Sequence, residues 1–235
     1  MIRKFYMKSK YKKNNSKFIN DNNSKSDYFK PSFKKKNTQS FKPLNTPSDM
    51  VVKFYENNNL NENDVIYFPK FFDDNTIYDK LLEEVKLCNI NNIWKLWHGD
   101  THHIADDKLG NWKSKCPTLI YIINEMANYY KMNVKATRFN HYRDNKAWKP
   151  YHRDAAAVKK DKMKTQNFTL GVSFGNKRTI SFQHFRTKTR VDFPLEDGTV
   201  YGFCKKVNVD WMHGIPQKLE GSDSGRISII LWGKI

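Results

Sequence analysis

The run "RISIILW", Arg226 to Trp232, constrains the fold more than any other stretch of the chain. Strict alternation puts Arg226, Ser228, Ile230 and Trp232 on one face of a strand and Ile227, Ile229 and Leu231 on the other. The aliphatic face requires a hydrophobic layer to cover it. Arg226 then points away from bulk water, or lies near its edge. A buried guanidinium is costly unless a carboxylate or phosphate meets it. No acidic residue stands beside Arg226 on its own face of the strand. A bound anionic ligand is the economical partner, and a carboxylate matches the guanidinium fork.

Other strand-like runs surround this one after Asn133: "VKATRFNHY", "NFTLGVSFG", "RTISFQHF", "TRVDFPL" and "GTVYGFC". Gly175-Asn176 and Asp197-Gly198 are turn signals between them. Upstream, "VIYFPKFF" reads as a short strand running into a turn. "DDNTIYDKLLEEVKLCN" offers Asp or Asn caps and a helical stripe of Ile77, Leu81, Leu82 and Val85. Pro117 opens a second helix, apolar at Leu119, Ile122, Ile123 and Met126. Two helices followed by about eight short, mostly antiparallel strands predict an α+β domain: a two-sheet roll or squashed barrel with the helices on one outer face.

Residues 1–49 differ in composition. Residues 1–50 hold 13 Lys and Arg against 3 Asp and Glu, a charge of +10, whereas the remainder carries +8 of the total +18. So little apolar surface cannot offset the entropy of ordering, so a disordered Lys/Asn-rich tail is expected, followed by a folded domain over residues 50–235. Basic residues interleaved with aromatics suit salt-sensitive contact with nucleic acid. An AT-rich coding sequence would give a similar Lys and Asn surplus, and an inert solvated tail would look alike. Cys88, Cys116 and Cys204 are too widely spaced for a disulfide framework or a zinc knuckle. With no secretory h-region and no apolar run approaching a membrane span, the expectation is an intracellular protein, cytoplasmic or nuclear, and a monomer.

The chemistry gathers in "TRFNHYRDNKAWKPYHRDAA". His152 and Asp154 are two residues apart, so on a strand both project to one face. In "NVDWMHGIP", His213 precedes a strand-ending Gly and Pro. Two imidazoles and a carboxylate make a facial triad that leaves three positions open on an octahedral metal, as in non-haem Fe(II) oxygenases. Zinc sites more often close four ligands.

His152-x-Asp154, then His213, then Arg226 thirteen residues later resembles the AlkB-like branch of the Fe(II)/2-oxoglutarate dioxygenases. "Asn140-His141-Tyr142" is similar to that family's Asn-x-Tyr pair, and "DVIYFPKFFDDNTIYDKLLEEV" to its opening strand and helix. The similarity spans Asp64 to Gly233. It implies a double-stranded β-helix (jelly-roll) core. It also implies Fe(II) on His152, Asp154 and His213, with 2-oxoglutarate held by Arg226, Asn140 and Tyr142. The implied reaction consumes molecular oxygen and gives succinate, CO₂ and a hydroxylated substrate.

The substrate implied is an alkylated base in DNA or RNA, taken from a single strand or flipped from a duplex. One departure bears on it. The family's nucleic-acid demethylases carry R-x5-R, and the second Arg is here Trp232. Trp232 could stack on a base, close the pocket for a smaller ligand, or simply be buried. The loop "WHGDTHHIADDKLGNWK" reads as part of the pocket mouth, with Trp97 or Trp112 as a stacking surface. The Lys run after Asp154 reads as a solvated hairpin tip. Two other functions stay open: the same chemistry on a protein side chain, lipid or small metabolite, and a non-catalytic nucleic-acid-binding module with a damaged ligand set.

Overall fold

A computed structural model describes residues 49–87, 95–96, 103–106, 112–217 and 225–235. The expected tail, up to residue 48, and Trp97 lie outside the described residues. In chain order the elements begin with β1 (Val51–Phe54), β2 (Asp64–Phe68), α1 (Ile77–Leu87), β3 (Lys95–Leu96) and β4 (His103–Asp106). A 3₁₀ turn at Trp112–Lys115 leads into α2 (Pro117–Tyr129), followed by β5 (Asn133–Tyr142) and β6 (Lys149–His152). Two short helices, α3 (Ala155–Val158) and α4 (Lys160–Thr165), precede β7 (Phe168–Gly175), β8 (Arg178–His184), β9 (Arg190–Leu195) and β10 (Thr199–Cys204). The chain closes with α5 (Lys205–Asp210), β11 (Trp211–Ile215) and β12 (Arg226–Lys234).

The strands form an eight-stranded sheet, ordered β1-β2-β10-β7-β12-β5-β4-β3, and a four-stranded sheet, ordered β6-β11-β8-β9. All pairs are antiparallel except β1 with β2. This mixed α+β arrangement of two sheets is that of a jelly roll.

Alternation along the strands sorts the core into two layers. Ile66 on β2, Phe139 on β5, Leu170 and Val172 on β7, and Ile227, Ile229 and Leu231 on β12 share a cluster with Leu81 of α1 and Leu119 and Ile122 of α2. The neighbouring positions Tyr67, Tyr142, Tyr201, Ile230 and Trp232 turn the other way. They pack with Ile180, Phe182, Phe193 and Trp211 of the smaller sheet. Buried Glu84 joins the two helices: its carboxylate accepts the N–H groups of Thr118 (2.6 Å) and Leu119 (3.2 Å). It thereby satisfies backbone donors that the start of α2 leaves unpaired.

The Lys run after Asp154 is helical rather than a hairpin tip. Ala155, Ala156 and Ala157 followed by Lys and Met are strong helix formers, and propensity decides where little packing competes. Among the described residues no helix is long and apolar enough to cross a membrane.

Candidate metal centre and co-substrate pocket

His152 is the last residue of β6, and His213 sits directly opposite it on β11. Their rings lie 4.3 Å apart, centre to centre. Gly214 makes this approach possible, since a Cβ there would fall 2.7 Å from the Lys149 carbonyl oxygen. Asp154 does not share the strand with His152, as the spacing suggested. It lies two residues past the strand, at the N-cap of α3, and its N–H donates to Asn208 Oδ1 at 2.9 Å. The three side chains still converge. Asp154 Oδ1 is 3.8 Å from His152 Nε2 and 3.7 Å from His213 Nε2, and one ligand atom from each lies within 4.8 Å of the others.

Protonation suits metal binding, which requires neutral imidazoles and an ionised carboxylate. His152 Nδ1 pairs with the Pro150 carbonyl oxygen at 2.9 Å, so the proton sits on Nδ1 and Nε2 carries a lone pair toward Asp154. Burial, reinforced by His213 and Lys149, pushes His152 well below its ordinary range. Burial alone would raise the Asp154 carboxyl. Its interactions with His213, His152 and Lys149 outweigh that effect and hold the group below the usual carboxylate range. The outer oxygen, Oδ2, accepts the Thr169 hydroxyl at 2.9 Å and the Trp232 indole N–H at 2.8 Å.

From this cluster a cavity runs between the sheets, walled by Asn140, Tyr142, Lys149, Tyr201, Ser228 and Trp232. Arg226 lies beside that wall and is only 1% exposed. Its guanidinium lies over the Tyr142 ring, 4.9 Å from the centroid, and its Nε donates to Ser173 Oγ at 2.7 Å. Nη1 and Nη2 find no hydrogen-bond partner, and no carboxylate pairs with Arg226 among the described residues. Asn140 Nδ2 donates to the Ser228 carbonyl oxygen at 3.2 Å. Lys149 is buried too. Desolvation pushes its pKa down to about 8, with Asp154 opposing the shift and Arg138 and Arg226 adding to it. A buried fork with two unsatisfied nitrogens, stacked on a cavity-lining Tyr142, together with two imidazoles and a carboxylate lining the same cavity, is a donor set that would fit a dicarboxylic acid and a metal.

The family model of the 2OG-Fe(II) oxygenase superfamily matches residues 64–231. The chain belongs to this superfamily. A search of curated proteins finds no match. Membership implies Fe(II) and 2-oxoglutarate as cofactor and co-substrate, with molecular oxygen consumed, and the His152, Asp154 and His213 cluster supplies a donor set that fits the metal. The protein is therefore an Fe(II)/2-oxoglutarate-dependent dioxygenase, and its ligand set is intact rather than damaged.

The oxygenase brings together His152, Asp154, His213, Asn140, Tyr142 and Arg226 around or beside one cavity. Trp232 also lines it, but as a donor to Asp154 and not as an open stacking face. Trp112 goes elsewhere. It is buried in the helix-side core, edge-on to Phe139, because the turn carrying it feeds α2 on the far side of the large sheet. Thr169, Ser173, Ser228, Tyr201 and Lys149 were not singled out from sequence. Ser228 was within reach, being two residues from Arg226 on the same face. The others depend on strand register: Ser173 pairs with Ser228, and Thr169 with Trp232.

Proposed function

We propose that residues 50–235 form an AlkB-like dioxygenase domain that hydroxylates N-alkyl groups on nucleic-acid bases. The observation that carries this reading is Arg226, buried with no carboxylate partner among the described residues and stacked on Tyr142, which with Asn140 lines the same cavity as His152, Asp154 and His213. Support for a polyanionic substrate comes from the residues around the cluster. Arg153, between His152 and Asp154 in sequence, stacks its guanidinium on Phe185 at 4.1 Å, and Lys188 Nζ lies 5.4 Å from the same ring. Phe185 is 49% exposed on the β8–β9 turn, which also carries Arg186. An exposed ring among cations suits a base and its backbone.

In this reading His152 Nε2, His213 Nε2 and Asp154 Oδ1 hold Fe(II). Arg226 pairs with the distal carboxylate of 2-oxoglutarate, while Asn140 and Tyr142 set its position. Ile180, Phe203 and Ile230 line the cavity and exclude water. With iron, 2-oxoglutarate and oxygen bound, the centre inserts one oxygen atom into a substrate C–H bond as 2-oxoglutarate is cleaved to succinate and CO₂. Hydroxylation of an N-methyl group gives an N-hydroxymethyl base, which releases formaldehyde and leaves N–H. Trp232, where the resembling demethylases have Arg, favours one other reading: the same chemistry on a protein side chain, lipid or metabolite.

The test is succinate release measured side by side with methylated single-stranded DNA, methylated RNA, peptides and small molecules. Methylated oligonucleotides are expected to stimulate release and yield formaldehyde stoichiometrically. Stimulation by another class alone overturns the nucleic-acid assignment. Asp154→Ala is expected to abolish release, by 10³-fold or more on the scale of a lost essential catalytic group.

A further inference from the structure

The carboxylate of Asp154 is held unevenly. Its two oxygens are chemically equivalent in isolation, yet Trp232 Nε1–H and Thr169 Oγ1–H both donate to Oδ2. Oδ1 is the oxygen that faces His152 and His213. The two donors come from one position in the sheet, because Thr169 on β7 and Trp232 on β12 are direct partners in register. Both residues are buried, and the Arg138 guanidinium lies over the Trp232 ring at 5.1 Å. The backbone of Asp154 is tied separately by Asn208 on α5. Hydrogen bonds to an ionised carboxylate are about twice as strong as neutral ones, so this clamp resists rotation of the group.

We propose that Trp232 and Thr169 are positioning residues that force Asp154 to bind the metal through Oδ1 alone. A carboxylate free to turn can grip a metal with both oxygens and fill a second coordination position. The chemistry needs three positions beyond the His and Asp ligands, two for the keto acid and one for oxygen. Holding Oδ2 on the indole and the hydroxyl keeps that extra position open. Trp232 thus acts on the metal ligand and not as a platform for substrate. The inference rests on the reading of His152, Asp154 and His213 as the metal ligands.

Cobalt(II) is the probe, added to the purified full-length apoprotein without 2-oxoglutarate. Affinity is read by titration, and coordination by the visible absorption bands of the bound ion. Trp232→Phe removes the N–H donor and keeps an aromatic ring; Thr169→Val removes the hydroxyl at nearly constant volume. Each variant is expected to bind cobalt about 10-fold more weakly, the lower end of the range for residues that orient metal ligands. Each is also expected to shift the absorption bands, as an added oxygen donor changes the coordination number. Wild-type affinity and bands in both variants overturn the inference. So does weaker binding with unchanged bands, which generic loosening of the site would give. If Trp232→Phe fails to fold, judged by circular dichroism, Thr169→Val decides alone by the same criteria. Failure of the wild-type protein to bind cobalt overturns the ligand reading itself, and the two failures are therefore distinct.

Discussion

On β12, Ile227, Ile229 and Leu231 pack toward α1 and α2, while Arg226, Ser228, Ile230 and Trp232 face the smaller sheet. The same division runs through β5 and β7. The helix-side layer is built mainly of hydrophobic residues, Phe139, Leu170 and Val172 among them, with buried Glu84 tying the two helices. The inner layer interrupts its aromatic and aliphatic groups with Asn140, Thr169, Ser173, Ser228 and Arg226, all buried. A core built only for stability has no use for a guanidinium with two unsatisfied nitrogens. The contrast shows that one face of the sheet holds the molecule together. The other gives up packing to keep polar groups ready for ligands.

The largest effect expected from breaking this contrast is on the helix side. Leu231→Ala removes a fully buried side chain from that layer and should cost about 2–5 kcal/mol, a fall in Tm on the order of 10 °C. Succinate release per folded molecule should stay near wild type, which thermal melts paired with activity at low temperature would check.

On the inner face the pattern reverses. Arg226→Met keeps much of the volume and removes the charge. It should leave the Tm of the apoprotein unchanged or raised, because a buried unpaired cation is lost. The 2-oxoglutarate requirement should rise about 100-fold, the scale of a truncated buried charge pair, with iron content unchanged. Equal loss of iron and co-substrate affinity would make Arg226 a structural residue instead.

A smaller effect follows from the depressed pKa of His152. Below the ordinary imidazole pKa of about 6.5 the unfolded chain takes up a proton that the folded apoprotein refuses. Stability is therefore fully present above that value and declines as the pH falls below it, by at most about 1.4 kcal/mol per pH unit. His152→Gln should flatten the decline between pH 7 and pH 5 in apoprotein melts. An equally steep decline in the variant would assign it to other groups.

The weakest effect belongs to the exposed aromatic beside the site. Phe185→Ala should reduce affinity for a single-stranded oligonucleotide about 10-fold, the low end of what one stacked base contributes, with little change in Tm. Unchanged binding would separate this ring from the substrate path.

Much of the site was legible because its signals are local. Period-two alternation divided the residues of β12 correctly between the two layers, and the HxD pair, His213 and Arg226 were each visible as single residues of the right type. Trp112 and Trp232 show where that legibility ends. Both are tryptophans near suspected chemistry, and nothing local separates a ring in the helix-side core from an indole that donates to a metal ligand. Burial and the partner of the N–H decide the difference, and both come from elsewhere in the chain.

The amino-acid sequence alone determined the strand-rich second half, the two amphipathic helices and the residue types able to hold iron and a dicarboxylic acid. These follow from side-chain periodicity and donor chemistry within short windows. Only the tertiary structure decided that Thr169 and Trp232 meet on one oxygen of Asp154, and that Ser173 holds Arg226. The residues of these pairs are separated by 15, 78 and 53 positions. Strand register brings them together, and register is a property of the assembled sheets, set by how two apolar layers and the strands between them pack at once.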